Sequence, residues 1–313
     1  MTYCQDLYKQ MLAQVDGAYI LGSRPLIRHC LTAHLARGHV LIEGPPGTGK
    51  TITAKLLAHL FSTRFKRIQM TSDMLPADII GAHIYSPSDQ TFAFIKGPIF
   101  ADIVLADEVN RTPPRTQSAL LEAMEERQVT AEGVEMPLSS DFFVVATQNP
   151  RDFEGTFPLP EAQLDRFLFK LKVRHASQEV EADILKHVLN GVLPPRTEDM
   201  PRLALDRKRV DEEIQAVRVD DSIITYVTAI VQQTRQHPMI QWGSSARAGI
   251  AFVKCSRILA AMEGRDFVIP DEIKEIAVPI LGHRIHLTPE AQLSDVTEHT
   301  VIDDIMNQVA FPR

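Results

Sequence analysis

Residues 44–51 read Gly-Pro-Pro-Gly-Thr-Gly-Lys-Thr, a full match to the pattern G-x-x-x-x-G-K-[ST]. No other segment constrains the fold as strongly, because this octet works only between a β-strand and an α-helix. Both flanks are present. Residues 39–43 form a short apolar run with strand character, and residues 50–61 carry a helical pattern. The expected phosphate cradle comprises Gly44, Pro45, Pro46, Gly47, Thr48, Gly49, Lys50 and Thr51. Its glycines let the backbone approach phosphate oxygens, and the helix aims its free N–H groups and positive dipole end at the anion. Lys50 adds a point charge facing the β/γ-phosphates, and the Thr51 hydroxyl is expected to ligate Mg²⁺.

The rest of the chain fits that frame. Up to about Val173, strand-like runs at 39–43, 67–70, 103–106, 142–146 and 167–171 alternate with helical patterns at 50–61 and 116–127. Such alternation predicts an α/β fold with a parallel sheet. After Val173 the strand-like runs stop, and amphipathic segments at 178–190, 220–236, 246–263 and 271–280 predict an all-α second domain. The expected division is 1–175 and 176–313, with a linker or exposed loop near 190–203 where one glycine and three prolines break any helix. A length of 313 residues suits two domains. Two hairpins are expected inside the first domain, at 83–95 and 128–136.

Charge and cysteine content exclude several classes. With 33 basic and 40 acidic residues the net charge is -7, which does not advertise a nucleic-acid or membrane-surface binder. Three scattered cysteines give neither a disulfide framework nor a zinc site and fit a reducing cytoplasm. No run of 18 apolar residues and no secretory leader pattern occur, so membrane insertion and secretion are not expected.

A second acidic element follows the phosphate cradle. The run 103–106 ends in Asp107-Glu108, two carboxylates at a strand's carboxyl end. Successive strand residues face opposite ways, so the two acids should divide the work. Asp107 is expected in the Mg²⁺ shell, and Glu108 as the general base that polarises an attacking water. Asn149, after the run 142–146, is placed to position that water or touch the γ-phosphate, although Asn-Pro also suits a plain turn. Arg166 follows Asp165 directly before a strand, a place that equally suits a surface ion pair. Arg247 begins a helix after Ser244-Ser245, where a cation opposes the helix dipole; this suggests an anionic partner, the alternative being a solvated helix start. Arg111 and Arg115 flank Pro113-Pro114 and are open to either a site role or solvent.

Together, Gly44–Thr51, Asp107-Glu108, Asn149 and the run 159–167 (Leu-Pro-Glu-Ala-Gln-Leu-Asp-Arg-Phe) resemble the Walker A, Walker B, first-sensor and arginine-finger segments of AAA+ ATPases. More narrowly, residues 38–44, 105–111, 117–124 and 146–150 resemble the MoxR family, in the helix-2-insert group. The resemblance implies Mg²⁺-dependent ATP hydrolysis in a homo-oligomeric ring, a hexamer, with Arg166 reaching the next subunit's nucleotide and Arg247 as second sensor. It implies chaperone-like remodelling or cofactor maturation of a client protein, with a von Willebrand A-domain partner. The nucleotide-binding set also takes in Leu21 and Gly22. Where a proline is common before the second-sensor arginine, this chain has Ala246.

Guanine specificity is disfavoured, since no Asn-Lys-x-Asp occurs. The alternatives are a nucleic-acid-stimulated motor of the same group and an ATP-gated scaffold. In the 83–95 hairpin, Phe92 and Phe94 share one face with Tyr85 opposite, and these aromatics either pack under the loop or touch a client. Lys96 is the only Lys or Arg between Arg67 and Arg111, too little positive charge to track a phosphate backbone.

Overall fold

The structure, a computed structural model, describes residues 2–17, 24–45, 47–61, 63–87, 90–131, 133–149, 155–191, 202–203 and 205–311. The chain divides into two compact units. One is Ala13–Phe167 with Leu171–Ala204, and the other is Met1–Leu12 with Leu168–Lys170 and Leu205–Arg313.

After helix α1 (Tyr3–Gly17), the nucleotide-type unit runs α2 (Arg24–Leu35), β1 (Val40–Glu43), α3 (Lys50–Leu60), β2 (Phe65–Gln69), α4 (Pro76–Ile80) and the hairpin β3 (Gly81–Ser86) and β4 (Thr91–Lys96). It continues through β5 (Ile103–Asp107), a 3-10 turn (Val109–Arg111), α5 (Pro114–Glu126), the hairpin β6 (Gln128–Ala131) and β7 (Val134–Pro137), then β8 (Phe143–Gln148), α6 (Glu161–Leu164), β9 (Phe169–Lys172) and α7 (Gln178–Leu189). The sheet order is β2-β5-β8-β1-β9. Pairing is parallel, with Arg67 opposite Leu105, Leu105 opposite Val145, and Val40 also opposite Val145.

All five residues of β5 are buried, as are Phe143 to Thr147 of β8. Continuous Val, Ile, Leu and Ala runs are what a parallel sheet covered on both faces requires. Helix α5 lays Leu120, Leu121, Ala123 and Met124 onto Val104, Ala106, Val144 and Ala146. Trimming either leucine to alanine there would remove about 2–5 kcal/mol of stability. Pro114 starts α5, where its missing N–H is harmless, and Arg127 ends it at φ 53°.

His39 locks the front of the sheet. Its Nδ1 accepts from the Val144 N–H at 3.0 Å, which puts the ring proton on Nε2, donating to the Met124 carbonyl at 3.1 Å. Burial pushes this imidazole down to about 3, so it stays neutral among Phe142 and Phe143. In the first hairpin Tyr85 stands directly across the ladder from Phe92, and His83 across from Phe94. Phe92 and Tyr85 remain exposed, whereas Phe94 packs on Phe100.

The other unit is built from α8 (Arg207–Ala216), α9 (Asp221–Gln236), β10 (Ile240–Trp242), α10 (Ala246–Met262), α11 (Pro270–Leu281), β11 (His286–Leu287), α12 (Pro289–Leu293) and α13 (Glu298–Gln308). Tyr3 and Cys4, at the start of α1, both donate N–H to the Glu213 carboxylate at 2.8 Å, satisfying helix-end donors that have no partner within the helix. The expectation that strands stop after Val173 is corrected by the antiparallel pair β10 and β11. Strands of three and two residues are too short for a period-two alternation to register.

Candidate active site

At the carboxyl end of β1 the chain turns tightly. A side chain on Gly44 would bring its Cβ to 2.5 Å from the Val173 carbonyl oxygen, so only glycine fits without backbone movement. Gly47 and Gly49 meet no such obstacle but stand at φ 80° and 81°, in the left-handed region. Thr48 Oγ1 donates to the Pro45 carbonyl at 3.0 Å and braces the turn. Helix α3 then begins at Lys50 with Gly49 as a cap that offers no side-chain acceptor, leaving its first N–H groups available to an anion. Lys50 Nζ donates to the Gly44 carbonyl at 2.6 Å, which folds its charge over the loop. Burial holds the Lys50 pKa below its ordinary value, with Asp107 and Glu108 pulling the other way. Thr51 follows on the same turn, half-buried. Pro46, Leu21 and Gly22 lie outside the described residues.

At the end of β5 the two acids have different surroundings. Asp107 Oδ1 accepts the Thr147 hydroxyl at 2.6 Å, and Oδ2 accepts Arg67 Nη2 at 2.6 Å and Nε at 3.1 Å. Glu108 takes φ 61° and ψ 53°, a left-handed conformation uncommon outside glycine and of the kind found at functional turns. Its carboxylate has direct partners different from those of Asp107. The Glu108 N–H donates to Thr147 Oγ1 at 2.9 Å, while Oε2 accepts Gln69 Nε2 at 3.0 Å and pairs with Arg111 Nε at 3.3 Å. One hydroxyl therefore serves both acids. Arg111, open from sequence, sits on Glu108; Arg115 is exposed on the first turn of α5.

Asn149 directly follows β8 and is half-buried, its carbonyl accepting Asn110 Nδ2 at 3.4 Å. Arg166, just past α6, donates Nη1 to the Leu121 carbonyl at 2.8 Å. It lines an open cleft of about 460 Å³ together with Glu122, Glu126, Glu135 and Gln163. In the other unit Arg247 lies in the first turn of α10, its N–H donating to the Ser245 Oγ cap at 3.2 Å.

Three residues at the acids escape a sequence reading: Thr147, Arg67 and Gln69. Each reaches Asp107 or Glu108 only because β5 sits between β2 and β8, with Gln69 opposite Asp107 in register. The available signal was polar residues at Gln69 and Thr147 closing otherwise strand-like runs.

A phosphate loop after β1, acids after β5, and a third strand, β8, between them define a P-loop AAA+ fold with a helical lid. Residues 39–169 match the ATPase family associated with various cellular activities (AAA), and residues 232–305 match the AAA lid domain. The uncharacterized protein YeaC of Bacillus subtilis (strain 168) is 44% identical, covering 100% of this chain and 98% of its own length. Chaperone MoxR1 of Mycobacterium tuberculosis is 39% identical over 94% of this chain and 80% of its own. A crystal structure from Cytophaga hutchinsonii, assigned to an ATPase, superposes with a TM-score of 0.89 at 36% identity, over 99% of this chain and 96% of that one. The chain belongs to the MoxR family of AAA+ ATPases. No described helix is long and apolar enough to cross a membrane.

Proposed function

We propose that this ATPase uses Mg²⁺-dependent ATP hydrolysis to remodel or mature a client protein, in the manner that the name of its relative Chaperone MoxR1 implies. The observation that carries the reading is the split between the two acids. Asp107 is held by Thr147 and Arg67, whereas Glu108 is held on one oxygen by Gln69 and Arg111. Two carboxylates kept in different environments are suited to different tasks.

The glycine-bearing loop and the open N-terminus of α3 suit a polyphosphate. Thr51 and Asp107 offer the hard oxygen donors that Mg²⁺ takes, and the ion would neutralise charge developing on the phosphates. Glu108 takes the proton of the attacking water, Asn149 orients that water, and Arg247 responds to the nucleotide. Arg166 acts on the next copy of the chain in a head-to-tail ring, a hexamer, in the cytoplasm. A von Willebrand A-domain protein is the partner class we propose for the client side.

The test is a Glu108→Gln trap. This variant should bind ATP, hydrolyse it slowly and retain a client that mass spectrometry names. ATPase rates with DNA, RNA and the recovered client complete it. Stimulation by nucleic acid alone would replace the chaperone reading.

A further inference from the structure

Helix α5 holds both ends of the hydrolytic machinery of this unit. Gln117, in its first turns, is fully buried, and its Nε2 donates toward three carbonyls: Val109 at 3.3 Å, Thr112 at 3.1 Å and Phe157 at 2.9 Å. Two of these flank the turn that follows Glu108. The third belongs to the segment leading to α6. Phe157 is tied from its other side as well, its N–H donating to the Asn110 carbonyl at 2.6 Å, while Asn110 Nδ2 reaches the Asn149 carbonyl.

One turn along α5, the Leu121 carbonyl accepts Arg166 Nη1. Between these points Ser118 Oγ accepts Gln163 Nε2 at 3.3 Å. The turn after Glu108 and the Arg166 segment are thus fastened to Gln117, Ser118 and Leu121 of one 13-residue helix, and the Asn149 backbone is joined to that turn through Asn110.

Packing alone does not call for an amide here. Gln117 Oε1 is buried without a hydrogen-bond partner, as are Asn110 Oδ1 and Thr112 Oγ1. An apolar side chain of the same length would fill the space without the orphaned Oε1, at the cost of taking the shared donor from the Val109, Thr112 and Phe157 carbonyls. What the amide adds is the fastening of two backbone segments, the turn after Glu108 and the segment leading to α6, to one helix.

We propose that Gln117 is a positioning residue through which the geometry of a subunit's own Glu108 and Asn149 sets how Arg166 is presented to the next subunit. The inference rests on the reading of Arg166 as acting between subunits. Both functions ride on α5, so a shift at the Glu108 turn displaces the helix and with it the carbonyl that holds the guanidinium. Displacements near 1 Å change turnover by about 10²-fold.

The test separates the two ends. Lys50→Ala chains lend Arg166 but cannot hydrolyse, and Arg166→Ala chains hydrolyse only with a borrowed arginine, so their mixture should recover activity. Gln117→Met keeps length and burial but removes the donors. Placed in the Lys50→Ala chain, it should cut the recovered turnover at least about tenfold, with ATP affinity of the Arg166→Ala chain and assembly size unchanged. Placed in the Arg166→Ala chain, it should lower turnover at unchanged affinity. Recovery unaffected by Gln117→Met in the arginine-lending chain would overturn the proposal, since a role confined to a subunit's own site could not act from there. No recovery in the mixture with Gln117 intact would overturn the arginine reading itself, and this inference with it. If Gln117→Met unfolds in a thermal melt, Gln163→Leu in the lending chain carries the same criterion from a half-buried position.

Discussion

Thr147 and Asp107, on adjacent parallel strands, are joined by a 2.6 Å hydrogen bond in which the threonine hydroxyl donates to the carboxylate. The same oxygen accepts the Glu108 N–H, so a single side chain sets the relative position of two acids. Thr147→Val keeps the shape and removes both bonds. Leaving a buried acceptor and donor unpaired should lower stability by about 1–3 kcal/mol. Turnover should fall roughly 10- to 100-fold as Glu108 loses its anchor, with ATP affinity little changed. Steady-state kinetics beside calorimetry decide it, and an unaltered kcat would remove Thr147 from the machinery.

Lys50 and Glu108 should fail in different ways. Lys50→Ala removes the charge over the phosphate loop, and calorimetry should find no ATP binding. Glu108→Gln should retain binding while kcat drops at least about 10²-fold, the scale for losing a positioned base. If both variants lose affinity equally, the assigned division of labour is wrong.

Arg166→Ala should leave ATP affinity nearly intact and lower turnover by about 10³-fold or more, in the range known for arginines supplied to a phosphoryl-transfer site. Turnover per subunit of the unmodified protein should rise with protein concentration. Full-rate hydrolysis by dilute monomer would return Arg166 to a structural role.

His39 makes folding stability depend on acid. Its folded pKa is near 3 and an unfolded histidine titrates near 6.5, so below that value the unfolded chain binds a proton the folded chain refuses. The contribution is fully present above about pH 6.5 and is lost as pH falls toward 3, at about 1.4 kcal/mol per pH unit. Urea midpoints at pH 7 and pH 5 should differ less in His39→Gln than in the unmodified chain. An identical pH response would show that other groups dominate.

Much of the fold was legible because β5 and β8 are buried on both faces and so read as unbroken apolar runs. The loop at 44–51 was legible because Gly47 and Gly49 answer to backbone demands local in sequence, whereas the Val173 carbonyl that requires Gly44 is visible only in the fold. What stayed hidden depends on register. Arg67, Gln69 and Thr147 look like ordinary strand-end polar residues until β2, β5 and β8 lie side by side. Gln117 falls within the helical pattern at 116–127, but that spacing does not show its three carbonyl partners, of which Phe157 is brought in by the path of the 155–160 segment. Helix α13 did carry its pattern, Val301, Ile302, Ile305 and Met306, yet nothing in that spacing says which helices it packs beneath.

The placement of β1 bears on how the protein is made. Its residue Val40 is stitched to Val145, and its other edge to β9, so neither neighbour is available when β1 leaves the ribosome. A nascent chain that has emerged through β5 already contains Lys50, Asp107 and Glu108 but has an open seam where β8 must insert. Such long-range insertion is slow compared with local helix formation. ATP affinity should therefore arrive late, and nucleotide retention by a chain in synthesis would report that the sheet has closed.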